Sequence, residues 1–313
     1  MPILTPREVP LGGLRSLNVR RTLPHRDRTS VGPWVFVDHF GPTTQSMDVA
    51  PHPHCGLSTV SWLFSGEIRH NDSAGFHETI RPGELVMMTA GNGIAHSEES
   101  QPGDLHGVQL WLTHPVAERE TINPQPRLQR CTPKTEHSGE ATIKVFLGEI
   151  AGFSPSPVVA PLDAIGAEIS IPAGGLIRLP LRDDCEYAVL ANETDFSING
   201  ESLSNGSLWF CDAEPAGDSS ATGGRELRIA ADSGPAHLLL LGGMPLGEEI
   251  VMLWNFIGRD HADVLAMRND WEDPQRREQR FGTVSGYGGT TTRIPAPPPP
   301  MTRLRPRKNA PAG

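Results

Sequence analysis

A chain of 313 residues is long enough for two domains that each bury a core without disulfide or metal staples. Hydrophobic residues make up 37% and charged residues 20%, so most of the chain reads as globular; 33 glycines and 30 prolines favour short strands joined by turns over long helices. The net charge of −10 is unevenly placed: residues 290–313 carry five basic and no acidic side chains, while the preceding 289 hold 22 basic and 37 acidic ones, an acidic body that disfavours direct nucleic-acid binding.

In chain order, the first fourteen residues carry Pro2, Pro6, Pro10 and the pair Arg7-Glu8, with no apolar run of the signal-peptide kind. The longest aliphatic run, Leu238 to Leu241, is too short to span a bilayer, so no membrane contact and a cytoplasmic location are expected. Cys55, Cys131, Cys185 and Cys211 are scattered, with no CxxC spacing, which fits reduced, packed thiols better than a zinc ribbon or a disulfide framework.

Pro51-His52-Pro53-His54 follows. Two histidines at period 2 share one face of a strand, and prolines without N–H groups place that strand at a sheet edge. From Ser58 to Glu99, turn signals recur at roughly ten-residue spacing: Ser65-Gly66, Asn71–Gly75, Arg81-Pro82-Gly83 and Gly91-Asn92-Gly93. They separate the runs Val60–Phe64, Glu67–His70, Phe76–Ile80 and Leu85–Thr89, and Gly107–Thr113 extends the same sheet system. This rhythm indicates an antiparallel sandwich or barrel. The pair His96-Ser97-Glu98 closes the series, behind glycines that permit a tight reversal.

A proline-rich joint, Pro115 to Pro133, leads to a second β series: Ile143–Leu147, Ala167–Ile171, Tyr187–Leu190, Asp195–Ile198, Ser207–Cys211, Arg225–Ala230 and His237–Leu241. One helix is expected after Asp260 as cap, with Asp263 in its first turn, Val264, Leu265, Arg268 and Trp271 at helical spacing, and Pro274 just beyond its end. The segment from Thr290, with Pro297–Pro300 and five basic residues, reads as a disordered, solvated extension.

A lone histidine in a strand is more often packed than ligating. Two period-2 pairs joined by hairpins differ, because paired side by side they converge three imidazoles (His52, His54, His96) and the carboxylate of Glu98. That donor set suits Fe(II), Mn, Ni, Cu or Zn, and four protein ligands leave positions open for substrate. His70, His77, Glu78 and His106 fall near turns and read as surface or supporting groups; His25, His39 and His114 show no partner. No nucleotide-binding loop or nucleophile elbow is present.

The order Pro51-His52-Pro53-His54, Gly66-Glu67, His70, Asp72-Ser73, Gly75, Arg81-Pro82-Gly83 and Met88-Thr89-Ala90-Gly91-Asn92-Gly93-Ile94-Ala95-His96-Ser97-Glu98 closely resembles the pirin family of the cupin superfamily. Looser likeness at Phe36–Gly41, Gln109-Leu110-Trp111, Gly242–Glu248 and Asn255-Phe256 extends it over roughly residues 10 to 285. The resemblance implies an all-β bicupin, two tandem antiparallel barrels of the jelly-roll kind with a short C-terminal helix. Expected boundaries are 1–133 for a metal-binding N-terminal cupin, 134–247 for a degenerate one with only His137 and His237, 248–289 for a helical extension and 290–313 for the tail. It also implies iron, most simply Fe(II), held by His52, His54, His96 and Glu98.

Where pirins usually continue the first pair as Arg-Gly-Phe-Glu, this chain has Cys55-Gly56-Leu57-Ser58. Strand parity places Ser58 on the pocket face with His52 and His54, and Cys55 on the opposite one as a small buried hydrophobe. The function implied is quercetin 2,3-dioxygenase-like cleavage of a flavonol-type aromatic substrate by O2, with Glu98 as proton acceptor. The alternative is an iron-dependent redox sensor or transcriptional coregulator that binds a protein partner. Val60, Trp62, Leu85, Met87 and Trp111 are expected to line an apolar pocket.

Overall fold

The computed structural model describes residues 3–11, 17–117, 127–214, 225–232 and 234–309. Two β units repeat one plan, a seven-stranded antiparallel sheet facing a four-stranded one. In the first unit the large sheet runs Arg127–Cys131, Leu85–Thr89, Leu57–Ser65, Leu105–Thr113, Trp34–Thr43, Asn18–Leu23, Arg7–Pro10. Its small sheet runs Asp48–His54, Ile94–Ser100, Ile68–Asp72, His77–Ile80. In the second unit the large sheet is centred on Glu186–Asn192, Ala236–Gly243 and Ile165–Ile171, and the small one on Leu176–Pro180 and Glu226–Ala230. The all-β, two-barrel expectation holds, and no helix of the described residues is long and apolar enough to cross a membrane.

One detail of connectivity differs from the expected division, and another from the expected joint within the first unit. Ile3–Leu4 pairs with Leu208–Cys211, so the first strand of the chain lies on the second unit's sheet. Arg127–Cys131, expected within a connecting joint, is an edge strand of the first unit paired with Leu85–Thr89. The rest of the joint, residues 118–126, lies outside the described residues. The open edge beside Leu85–Thr89 offers unpaired backbone groups, and Arg127–Cys131 satisfies them.

The two large sheets pack on each other. Val60, Trp62, Leu85 and Met87 of the first unit share one core with Phe146, Leu190, Leu239 and Leu241 of the second. The rings of Trp62 and Phe146 stack with centroids 4.5 Å apart. Trp34 crosses the seam, its Nε1 donating to the carbonyls of Ile165 and Gly242 at 3.1 and 2.9 Å. Both faces of each large sheet are therefore covered. Apolar residues on the outer face serve the seam and not the barrel interior, which corrects the expected placement of Val60, Trp62, Leu85 and Met87 in the pocket.

At the C-terminus one expected helix is two. α1, His261–Glu272, is capped by the Asp260 side chain, which accepts from the Asp263 N–H, and it buries Val264, Met267 and Trp271. Pro274, expected past the helix, is instead the first residue of α2, Pro274–Phe281, because Asp273 caps a second start by accepting from Gln275 and Arg276. Nor is the segment after 290 a solvated extension. Up to residue 309 it lies on the protein: Ile294 N donates to Pro51 O, Arg307 pairs with Ile250, and Asn309 bonds Ser30. Its prolines cannot donate to a ladder, but the Pro297 carbonyl accepts from Arg268 Nε, and the N–H groups of Ala296 and Leu304 donate to Glu272 and His261.

Along the seam lies a second group of histidines that the sequence left unpartnered. His39 Nε2 meets His106 Nε2 at 2.8 Å, Arg20 Nη2 lies 3.2 Å from the His39 ring, and His106 Nδ1 lies 3.1 Å from Glu193. His237 bonds Glu168 at 2.7 Å, and Lys144 reaches the same carboxylate. Phe64 sits between His106 and His237, with centroids 4.8 and 4.9 Å away. Burial, then the Arg20 and His106 charges, hold the His39 imidazole well below its ordinary value; burial also lowers His106, against the pull of Glu193. Both are neutral in the folded protein at neutral pH, whereas in the unfolded chain they take up protons below about pH 6.5. Stability is therefore full above that pH and falls as the pH drops below it, by at most about 1.4 kcal/mol per pH unit for each such histidine and only until the pH reaches its folded value. Denaturant titrations between pH 7.5 and 5 should show this decline, and His39→Gln should make it shallower; an unchanged slope would count against the seam histidines as its source.

Candidate metal centre

Asp48–His54 is the edge strand of the small sheet, as its prolines require, and it pairs antiparallel with Ile94–Ser100. The register sets His54 opposite Ile94 and His96 opposite His52. It then slips, so that Glu98 faces Val49. The bulge inserts an extra residue on the Asp48–His54 side and re-aims the carboxylate. In the turn ahead, Gly91 takes φ +56°, the left-handed reversal. Gly93 is needed for another reason: a Cβ there would lie 2.6 Å from the Arg280 carbonyl of α2.

All four expected residues are buried in one cavity of about 390 Å3. His54 Nε2 and His96 Nε2 are 3.1 Å apart, and the rings of His52 and His96 have centroids 4.3 Å apart. His52 Nδ1 donates to the Ala50 carbonyl at 2.9 Å, which fixes its tautomer and leaves Nε2 as the free lone pair. The donor atoms form two overlapping groups, each within 4.8 Å: His52, His54 and His96, and His70, His96 and Glu98. His96 belongs to both. Both groups found among the described residues lie in the first unit.

His70, expected near a turn as a surface or supporting group, is therefore part of the cluster. It stands opposite Glu98 on the strand Ile68–Asp72, with Nδ1 3.3 Å from His96 Nδ1 and Nε2 3.1 Å from Asp72 Oδ2. The signal was available in the sequence: His70 and Asp72 have the same period-2 spacing as the other pairs. Behind His96 the chain thus places an imidazole and a carboxylate that can orient its ring.

Burial dominates the electrostatics. It lowers His52 to about 4 and, with the neighbouring imidazoles, holds His54 and His96 well below the ordinary value. These side chains are neutral at physiological pH, the form that donates a lone pair to a metal. Burial raises Glu98, while His70 and the Ser61 hydroxyl pull it back. The arrangement fits a divalent transition ion: cis ligands with bonds of about 2.1 Å stand about 3 Å apart, close to the His54–His96 spacing.

The facing wall belongs to the large sheet. Ser61, Gln109, Asp38 and Arg21 are successive cross-strand neighbours. Ser61 Oγ bonds Gln109 Oε1 at 3.1 Å and reaches Glu98 Oε1 at 3.4 Å. Phe36 and Trp111 stack with centroids 3.8 Å apart and planes 9° apart, and Trp111 meets the His54 ring edge-on at 5.2 Å. Of the expected lining residues only Trp111 faces the cavity. Ser58 does not join His52 and His54 either. Gly56, at φ +74°, breaks the parity, and Ser58 belongs to the large sheet, bonded to Thr89 and His114. Cys55 is buried, bonded to the Asn92 carbonyl, and burial pushes its thiol up to about 12, so it acts as a packed hydrophobe.

The C-terminal segment lines the cavity through Ile294, Pro295 and Pro297. Glu272 of α1 holds it there, accepting both Arg293 guanidinium nitrogens at 2.9 and 3.0 Å and the Ala296 N–H at 2.8 Å. Trp271 Nε1 donates to Ile294 O at 2.8 Å.

Two stacked barrels in one chain, one of them with a buried His/Glu cluster, define a bicupin of the cupin superfamily. The Pirin family model matches residues 16–112 and the Pirin C-terminal cupin domain model residues 166–277. The chain belongs to the pirin family. It is 35% identical over 305 residues (95% of this chain, 90% of the relative) to a Pseudomonas aeruginosa protein named "Putative quercetin 2,3-dioxygenase". It is 31% identical to a pirin-like protein of Caulobacter vibrioides, over 83% of this chain and 89% of the relative. A crystal structure of quercetin 2,3-dioxygenase from Acinetobacter baumannii superposes with TM-score 0.82 and 29% identity, covering 96% of this chain and 97% of the other.

Two outcomes check the site. His96→Ala should abolish stoichiometric metal in protein loaded with Fe(II) or Zn(II) and dialysed. His70→Ala should retain it with affinity weakened about 10–100-fold, as for a group that supports a ligand; metal content by atomic emission decides both. Glu272→Ala should free the strap, so that trypsin cuts the Arg293–Ile294 bond at least tenfold faster than in wild type; equal rates would mean that Glu272 does not hold it.

Proposed function

We propose that this pirin is an Fe(II)-dependent dioxygenase of flavonol-type aromatic substrates, with His52, His54, His96 and Glu98 as the metal ligands. The observation that carries this reading is a cavity walled by the Phe36–Trp111 stack in which His52, His54 and His96 form one group of donors and Glu98 stands in a second that shares His96. The named activity of the Pseudomonas and Acinetobacter relatives supports it. When bound, the ion supplies a Lewis-acidic, redox-active centre with positions open to substrate oxygens.

The protein's own groups do the rest. The stacked rings offer a flat apolar surface, and about 390 Å3 suits a molecule of two or three fused or linked rings. Glu98, made more basic by burial, accepts the proton of a substrate hydroxyl and leaves an electron-rich oxyanion for reaction with O2. The Ser61 hydroxyl, its one proton shared between Gln109 Oε1 and Glu98 Oε1, helps keep that carboxylate aimed into the cavity. The strap adds the apolar side chains of Ile294 and Pro295 to the cavity lining.

The test is anaerobic loading with Fe(II), followed by quercetin and oxygen, with loss of flavonol absorbance as the readout. Wild type should consume the flavonol, His54→Ala should be at least 100-fold slower, and Glu98→Gln should lose about 10²–10⁴ in rate as a missing proton acceptor does. No consumption by wild type, or equal consumption by His54→Ala, would refute the proposal.

A further inference from the structure

The histidines and Glu98 occupy one end of the cavity, and Arg21 lines it as well. Arg21 is not a surface cation that happens to be near. Asp38, fully buried, grips its Nε and Nη2 at 2.6 and 2.7 Å. Its guanidinium lies over the Phe36 ring, 4.2 Å from the centroid, and Phe36 in turn stacks on Trp111. The fork is thus fixed in the wall before any ligand arrives, and little side-chain entropy remains to be lost on binding. The third nitrogen, Nη1, has no hydrogen-bond partner among the described residues. Arg7 stands directly across from Arg21, close enough to be attracted by Asp38 and repelled by Arg21. Among the described residues Arg7 and Arg21 thus flank the single carboxylate of Asp38, and of these cations Arg21 is the one that lines the cavity.

The distance between the two ends follows from the sheet. Arg21 is three strands from Ser61, the residue that touches Glu98. At about 4.8 Å per strand the separation is about 14 Å, which side chains reaching inward shorten. A flat aromatic molecule that placed adjacent oxygens at the His/Glu end would present its far substituent to Arg21.

We infer that Arg21 is a specificity residue for an anionic substituent, and that among metal-chelating aromatic substrates the site prefers those with a carboxylate at the end opposite the chelating oxygens. This rests on the proposed reading of the cavity as a site for a metal-chelating aromatic substrate. An Arg guanidinium presents N–H groups in the plane that a carboxylate accepts, and a site built for such a contact discriminates against an uncharged analogue.

The experiment needs no turnover. Protein loaded with Zn(II) is titrated with 3,4-dihydroxycinnamate and, separately, with its uncharged methyl ester, and quenching of tryptophan fluorescence reports binding. The acid should bind wild type at least tenfold more tightly than the ester. Arg21→Gln alone would strand a buried carboxylate, so the matched variant is Arg21→Gln with Asp38→Asn. In it the advantage of the acid should vanish while zinc content stays stoichiometric. Equal affinities on wild type overturn the inference whether or not the double variant folds, and so does an advantage that survives in the double variant. Failure of flavonol turnover with the acid preference intact would sink the proposed reaction and leave Arg21's role standing.

Discussion

The contact between the two large sheets is the constraint on which the rest depends. It covers the outer face of the first unit's sheet with the outer face of the second's, through Trp62, Phe146 and their neighbours. Truncating a side chain as large as Trp62 in such a seam costs about 3–5 kcal/mol, a large share of the net stability of most domains. With one face given to the seam, the other is free to carry polar side chains toward the barrel interior. Ser61, Gln109, Asp38 and Arg21 can sit in a row there because Val60, Trp62 and Leu110 supply the burial on the opposite side.

The small sheet has the complementary task. It bears the histidines, and it places them by register: one antiparallel pairing, one bulge and one neighbouring strand bring His52, His54, His96, Glu98 and His70 together. A one-residue slip would turn the whole set to the other face. The edge position of Asp48–His54 would leave its backbone open, and the C-terminal segment answers that by donating Ile294 N to Pro51 O. The same segment lines the cavity, so protection of the sheet edge and one wall of the site come from one structural element.

The second unit keeps the architecture without such a cluster among its described residues. Its histidine His237 serves the seam, paired with Glu168 beside Phe64. The second barrel thus contributes chiefly as the surface against which the first is stabilised.

Much of this was legible in the chain itself. Turn residues at ten-residue intervals and alternating apolar runs announce antiparallel strands, because Gly, Pro and Asn make the turns that short strands need. The period of two identified His52, His54, His96 and Glu98 as pairs on shared faces, and Asp260 marked the start of α1. What local pattern could not encode was which of two buried faces looks inward. Both faces of the large sheet read as buried, so Val60 and Trp62 were indistinguishable from cavity residues until the second unit was seen to lie on them. The parity of Ser58 failed at one glycine, and the tail, polar and proline-rich by composition, found its order only in partners far along the chain, Glu272, Trp271 and Pro51. Strand period and turn chemistry are properties of a few adjacent residues; the choice of face, the bulge and the strap depend on contacts between segments distant in sequence, and those exist only once the barrels have packed.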